Sequence, residues 1–229
     1  MGINKKRPRI SCIIPFWNED QRLFTVLSEI VKVKGLSEII CVDDASDKDQ
    51  SQEIKKTYPD IKLIRLKNNV GKSGAIFQGL KHNQSSHILL LDADLRNLNH
   101  EEINNAVRII HKNGNIDMLI LRRIKAPFLV KLTRGDVLST GERIVKTKYL
   151  NNILKESSKG WQLESKLNQY MYENKKRVFW VSHSGINTHW KWGLNTDLKY
   201  HKKKMADIYS IGLFKLMKLF LFFGKEEHV

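Results

Sequence analysis

Apolar runs of strand length recur through the first half of the chain. Each breaks off at a polar or acidic cluster, and a stretch with helical periodicity follows. The first run, residues 10–15, reads Ile-Ser-Cys-Ile-Ile-Pro and is closed by its proline before a loop at 16–20. Leu23, Val26, Leu27, Ile30 and Val31 then recur at steps of three and four, the apolar face of a helix ending near Gly35. A second run, 38–42, enters Asp43-Asp44-Ala45-Ser46-Asp47 directly. A helix over 50–58, a strand at 61–66, a loop at 68–72, a helix over 73–82 and a strand from 88 continue the series, followed by a helix over 100–112 and a strand over 117–121. Such alternation predicts an α/β fold, a parallel or mixed sheet flanked by helices. Ligands of these sheets bind outside the carboxyl ends of the strands, where Asn18, Asp43, Asp44, Asp92 and Asp94 would gather.

The run at 88–95, Ile-Leu-Leu-Leu-Asp-Ala-Asp-Leu, reads as a buried strand cut off by two aspartates one residue apart. Side-chain direction repeats every second residue, so Asp92 and Asp94 leave the strand end on the same side. Paired hard carboxylates suit a divalent cation and a phosphate ligand.

Beyond Arg122 and Arg123 the alternation breaks down. Residues 126–138 are mixed, 141–143 precede a short helix, 161–172 form a helix with Leu163, Leu167, Tyr170 and Met171 on one side, and 177–182 form a last strand. The end of the chain is basic at 199–204 and apolar at 208–223, with Lys215 and Lys218 inside that run. Sixteen residues fall short of the roughly twenty that span a bilayer. A basic and apolar amphipathic helix of this kind either lies in a membrane interface or docks on the domain or a second subunit.

Forty Lys and Arg against twenty-four Asp and Glu give a formal +16, which attracts polyanions: nucleic acid, an anionic membrane or phosphorylated small substrates. No helix-turn-helix, zinc or aromatic RNA-binding signature is present in the sequence, so no nucleic-acid partner is expected. Cys12 and Cys41 both sit inside apolar runs, as buried thiols do. The basic start at 1–9 has no apolar core of signal-peptide length behind it, and the expected setting is cytoplasmic.

Four segments taken together resemble the successive motifs of family 2 glycosyltransferases. They are Ser11-Cys12-Ile13-Ile14-Pro15-Phe16-Trp17-Asn18-Glu19, Val42-Asp43-Asp44-Ala45-Ser46-Asp47, Asn69-Val70-Gly71-Lys72-Ser73-Gly74-Ala75 and Leu91-Asp92-Ala93-Asp94. The resemblance implies a GT-A fold over 1–198, with a nucleotide-sugar half at 1–123, an acceptor half at 124–198 and a tail at 199–229. It implies Mn²⁺ or Mg²⁺ at Asp92 and Asp94, with Asp94 the direct ligand and Asp92 reaching the ribose or a metal-bound water. Asp43 and Asp44 would accept a hydrogen bond from a base ring N–H, which favours a UDP-sugar donor; alternatively they cap a helix, the role expected of Asp47. Pro15, Asn18 and Glu19 would shape the base and ribose pocket, Gly71 would permit a tight bend, and Lys72 would come near the nucleotide. Arg122 and Arg123 would meet the diphosphate or an anionic acceptor, or form a solvated basic face.

Residues 160–164 resemble the acceptor-side segment in which many members place an acidic residue ahead of a helix. Glu164 is the carboxylate there and the candidate base for an inverting transfer, or else a solvent-facing helix residue. Residues 181–189 resemble a later loop that in some branches gives a histidine to the metal, and His189 fits that place better than His183. Polyprenyl-phosphate sugar transferases are similar in size and in Asp-Ala-Asp-Leu, but carry a metal-holding Gln where this chain has Arg96, a cation that cannot be a ligand. The expected activity is metal-dependent, inverting sugar transfer from a nucleotide-diphosphate sugar to a glycan or lipid-linked acceptor at the inner membrane face. A nucleotidyltransferase would place a Gly-rich basic loop after the first strand, where this chain has Pro15-Phe16-Trp17-Asn18-Glu19. A basic nucleic-acid-binding protein without catalysis is the reading from another class.

Overall fold

The computed structural model describes residues 7–125, 131, 135–156, 163–187, 218 and 221–223. Strands β1 (Ile10–Phe16), β2 (Glu38–Asp43), β3 (Lys62–Arg65) and β4 (His87–Leu90) alternate with helices α1 (Gln21–Ile30), α2 (Ser51–Thr57) and α3 (Gly71–Lys81). A two-residue β5 (Leu95–Arg96), α4 (His100–Lys112) and β6 (Met118–Arg123) follow. The second half supplies α5 (Gly135–Leu138), β7 (Arg143–Lys146), α6 (Thr147–Glu156), α7 (Leu163–Glu173), β8 (Val178–His183) and β9 (Ile186–Asn187).

Seven strands form one sheet in the order β3-β2-β1-β4-β7-β6-β8, with β7 antiparallel to both neighbours and every other pair parallel. The chain starts in the middle at β1, runs outward through β2 and β3, then crosses back to place β4 on the other side of β1. That reversal leaves a crevice at the carboxyl ends of β1 and β4, the place where sheets of this kind bind ligands. Successive side chains point to opposite faces. Ile10, Cys12, Ile14 and Phe16 therefore pack with α1 and α4. Ile13, Ile88 and Leu90 pack with α3, α6 and α7 on the other face.

Helix α3 lies close against the sheet, because a Cβ on Gly79 would stand 3.1 Å from Ile13 and 3.1 Å from Val42. Cys12 and Cys41 are buried, unbonded thiols in the adjacent strands β1 and β2, as expected. Burial pushes Cys41 up to about 12 and Cys12 well above the ordinary thiol value.

The structure differs from expectation in two places. Residues 141–143 lead into β7 before α6 begins, not straight into a helix. Only Ile144 and Val145 are apolar in Arg-Ile-Val-Lys, so the run carries little strand signal, yet it is inserted between β4 and β6. Secondly, β4 stops at Leu90, and the two aspartates occupy the turn between β4 and β5. Strand alternation is therefore not what brings them together. The turn is held on its far side by β5, paired antiparallel with β9.

Near the end of the chain, Phe223 is buried in the core and Phe222 meets Tyr172 of α7 edge-on at 5.5 Å, while neighbouring Leu221 is 81% exposed. These two aromatic residues pack on the domain, and most of the 208–223 run lies outside the described residues. No helix among the described residues is long and apolar enough to cross a membrane.

Candidate active site

The loops at the carboxyl ends of β1 and β2 are cross-tied. Asn18 sits at φ 53°, a conformation asparagine tolerates better than most residues. Its amide nitrogen donates to Asp47 at 2.9 Å and its oxygen accepts from the Asp47 N–H at 2.9 Å, while its own backbone N–H donates to Ser46 Oγ at 2.9 Å. Asp43 is buried; Oδ1 accepts from the Ser46 N–H at 2.8 Å and Oδ2 pairs with Arg65. Asp44 accepts the N–H groups of Val70 and Gly71, both at 2.8 Å, and so holds the start of α3. Burial raises Asp44 above the ordinary carboxyl value against the opposing pull of those two donors.

Asp43 and Asp44 are therefore loop latches in this state. A carboxylate oxygen has room for a second hydrogen bond, so a base N–H would share these acceptors. Asp47 does not cap α2, because it is paired with Asn18; Asp49 accepts from the Ser51 N–H instead. Pro15 lies at the end of β1 opposite Val42, and Glu19 pairs with Arg22 at 3.2 Å.

Lys72 is the centre of the site. Fixed at the start of α3 by the Asp44 latch, its Nζ lies 2.6 Å from Asp92 Oδ1 and 3.1 Å from Glu164 Oε1. Burial alone would lower the lysine, but Asp92 and Glu164 outweigh it and hold Lys72 charged well above its ordinary range. Gly141 covers the pair: a Cβ there would stand 2.8 Å from Lys72 Nζ and from both Asp92 oxygens. Asp94 is pushed up to about 6 by burial, then by the charges of Asp92 and Glu19, with Glu142 adding and Lys72 opposing. Negative charge thus converges on Asp94 from three neighbours.

The expected residues do not all join this cluster. Arg122 Nε is bonded to the fully buried Asp136 at 2.5 Å, and its guanidinium stacks 4.5 Å over Trp180. Arg123, next to it, reaches toward Glu142 at 4.0 Å. Arg96 is exposed in β5. His183 is buried 3.4 Å from Glu102, and His189 lies outside the described residues.

The sequence reading missed Gly141, Glu142, Arg143, Asp136 and Asn168. Glu142 and Arg143 are both 0% exposed. Thr140 Oγ1 donates to Glu142 Oε2, while the buried Oε1 has no hydrogen-bond partner among the described residues. The available signal was Gly-Glu-Arg abutting Ile-Val, an acid and a base flush against an apolar pair.

Among the described residues no three His, Cys, Asp or Glu groups converge as a closed metal cage. The donor chemistry nevertheless fits a hard cation. Asp92 and Asp94 offer oxygen ligands only, in excess negative charge, and ions such as Mg²⁺ commonly use one or two carboxylates and take the rest from phosphates and water.

A mixed seven-stranded sheet flanked by helices, with its crevice at the β1/β4 reversal, is the GT-A fold. Residues 11–160 match the model of glycosyl transferase family 2, and the chain belongs to that family. A dolichyl-phosphate β-glucosyltransferase of Dictyostelium discoideum is 31% identical over 127 residues, covering 49% of this chain and 38% of that protein. A dolichol-phosphate mannosyltransferase of Pyrococcus furiosus is 32% identical over 144 residues, covering 58% and 40%. The chain thus spans about two fifths of the length of these curated relatives. Among solved structures, glucosyl-3-phosphoglycerate synthase of Mycobacterium tuberculosis, in complex with Mn²⁺, UDP and phosphoglyceric acid, superposes with a TM-score of 0.68 at 16% identity, over 89% of this chain and 78% of that one.

Proposed function

We propose that the chain carries out metal-dependent, inverting transfer of a sugar from a UDP-sugar to a lipid-linked or envelope-glycan acceptor at the inner membrane face. The observation that carries this reading is the Lys72 bridge, 2.6 Å to Asp92 and 3.1 Å to Glu164, which joins the acidic turn of the donor half (1–123) to a helix of the acceptor half (124–198). Relatives named for dolichyl-phosphate sugar transfer support the lipid acceptor. A neighbour solved with Mn²⁺ and UDP supports the donor and the metal.

Asp92 and Asp94 would hold the cation, which when bound supplies neutralising charge to the departing diphosphate. Lys72, kept charged by its carboxylate neighbours, adds a fixed positive charge at the same place. The missing side chain at Gly141 leaves room for the Lys72–Asp92 pair. Glu164 takes the proton of an acceptor hydroxyl; an acceptor phosphate is already an anionic nucleophile and leaves Glu164 no proton to take. Glu164→Gln therefore separates the two acceptor chemistries.

The test is a thermal-shift panel of nucleotide sugars with and without Mn²⁺, on the wild type and on Asp94→Ala. The expected result is stabilisation by a UDP-sugar only when both metal and Asp94 are present, about 2.7 kcal/mol at a hundred times Kd. No response to any nucleotide sugar would sink the reading.

A further inference from the structure

Arg143 is completely buried, and among the described residues its guanidinium hydrogen-bonds to neutral groups: Nη1 donates to Asn168 Oδ1 at 3.0 Å, Nη2 to the Thr140 carbonyl, and Met118 Sδ lies 3.8 Å from Nη1, while the nearby charges of Glu164, Glu142 and Asp92 favour its cationic form against burial. Taking an arginine out of water costs several kcal/mol, and an apolar residue often serves stability as well. A role beyond packing is therefore called for. Asn168 is also buried, its Nδ2 donating to the Leu138 carbonyl at 2.7 Å while Oδ1 accepts from Arg143.

Their places in the fold give that role. Glu164 and Asn168 are four residues apart in α7, hence on one face one turn apart. Arg143 stands opposite Leu90 in the β4–β7 ladder, two residues before Asp92. The contacts close a ring: Asp92 to Lys72, Lys72 to Glu164, one helical turn to Asn168, Asn168 to Arg143, and across the ladder back to the strand that leads to Asp92.

We infer that Arg143 and Asn168 are positioning residues. They form a buried clamp that sets the height and rotation of α7 and so places the Glu164 carboxylate against Lys72 and Asp92. The inference rests on the proposed part of Glu164 in sugar transfer for its functional meaning, but not for its geometry. Because a misplacement of about 1 Å costs up to about 100-fold in rate, a clamp remote from the substrate can control turnover.

A double-mutant cycle between Asn168→Ala and Glu164→Gln tests it in two readouts. The first needs no donor: competitive acylation of lysines followed by mass spectrometry. Asn168→Ala should raise Lys72 labelling about five-fold, Glu164→Gln should do the same, and the double variant should add less than about two-fold, with Lys146, paired to Asp117 at 2.8 Å, unchanged. The second is donor turnover, where Asn168→Ala should lower kcat about ten-fold with KM for the donor within about two-fold, and should add almost nothing in the Glu164→Gln background. Asn168→Asp keeps an oxygen for Arg143 and should retain protected Lys72, which guards against a folding failure of the alanine variant. Additive effects across the cycle, a general rise in lysine labelling, or unchanged Lys72 labelling in folded Asn168→Ala would overturn the clamp. Absence of turnover in the wild type would count against the proposed function alone, since labelling still decides the clamp.

Discussion

Gly141 has no side chain because Lys72 and Asp92 fill the space where one would be. Its backbone tolerates alanine, and the atoms a Cβ would strike are the ends of two side chains rather than backbone. Gly141→Ala should therefore fold, with a melting temperature within about 3 °C of wild type, and still lose at least about ten-fold in kcat/KM for the donor, because the displaced groups are those proposed to act on the cation and diphosphate. Asp94 gives a pH signature. Its carboxyl sits at about 6 in the fold against an ordinary 3.8, so the folded protein holds a proton that the unfolded chain releases. Stability from this group therefore falls as pH rises through about 4 to 6, and the full penalty remains above 6. Asp94→Asn should stabilise the metal-free protein by about 1–3 kcal/mol at pH about 7.5, with the gain vanishing near pH 4, as read from paired melting curves. Metal-dependent donor binding should move the opposite way and weaken as pH drops through about 6, since protonated Asp94 is a poor ligand.

Helix α3 carries Lys72 at its first turn and Gly79 at its closest approach to β1 and β2. Gly79→Val would push branched carbons into Ile13 and Val42 and should cost about 1–3 kcal/mol in urea denaturation, with no change in slope. Elements whose own residues state their environment were legible in the sequence. Helix α4 runs from His100 to Lys112 as expected, since Asn99 accepts the Glu101 N–H at 2.9 Å and Ile103, Ala106, Val107 and Ile110 mark the buried face. Strand β7 was not legible, because the burial of Arg143 depends on Asn168 and Thr140, residues whose proximity only the fold creates. The site divides in the same way. Asp92, Asp94, Lys72 and Glu164 could be picked out by residue type and motif, and they lie together. Glu142 and Asp136 belong to no motif in the sequence, and their burial is a tertiary effect. Asp43 and Asp44 were correctly placed at the crevice, but sequence could not reveal that loop N–H groups and Arg65 already engage them.

At the scale of the molecule, one sheet runs unbroken from β3 through β7, β6 and β8, so the first and second halves of the described chain share a core, and the whole sequence carries a net charge of +16. Association with anionic lipid vesicles should follow, strongest at low salt and largely lost by about 0.5 M NaCl, where screening lengths fall below about 5 Å. Because Phe223 belongs to the core, truncating the tail would confound the measurement. Replacing Lys202, Lys203 and Lys204 with Gln is the cleaner variant, and flotation should drop several-fold; unchanged flotation would remove the basic stretch from the membrane reading. The two thiols of β1 and β2 give the molecule its own reporter. Cys12 and Cys41 are fully buried in β1 and β2 and held in the unreactive thiol form, so alkylation can proceed only from chains in which these strands have opened. At saturating reagent the rate of labelling then equals the rate at which β1 and β2 open. Its slowing by added nucleotide sugar would measure ligand binding without any assay of sugar transfer.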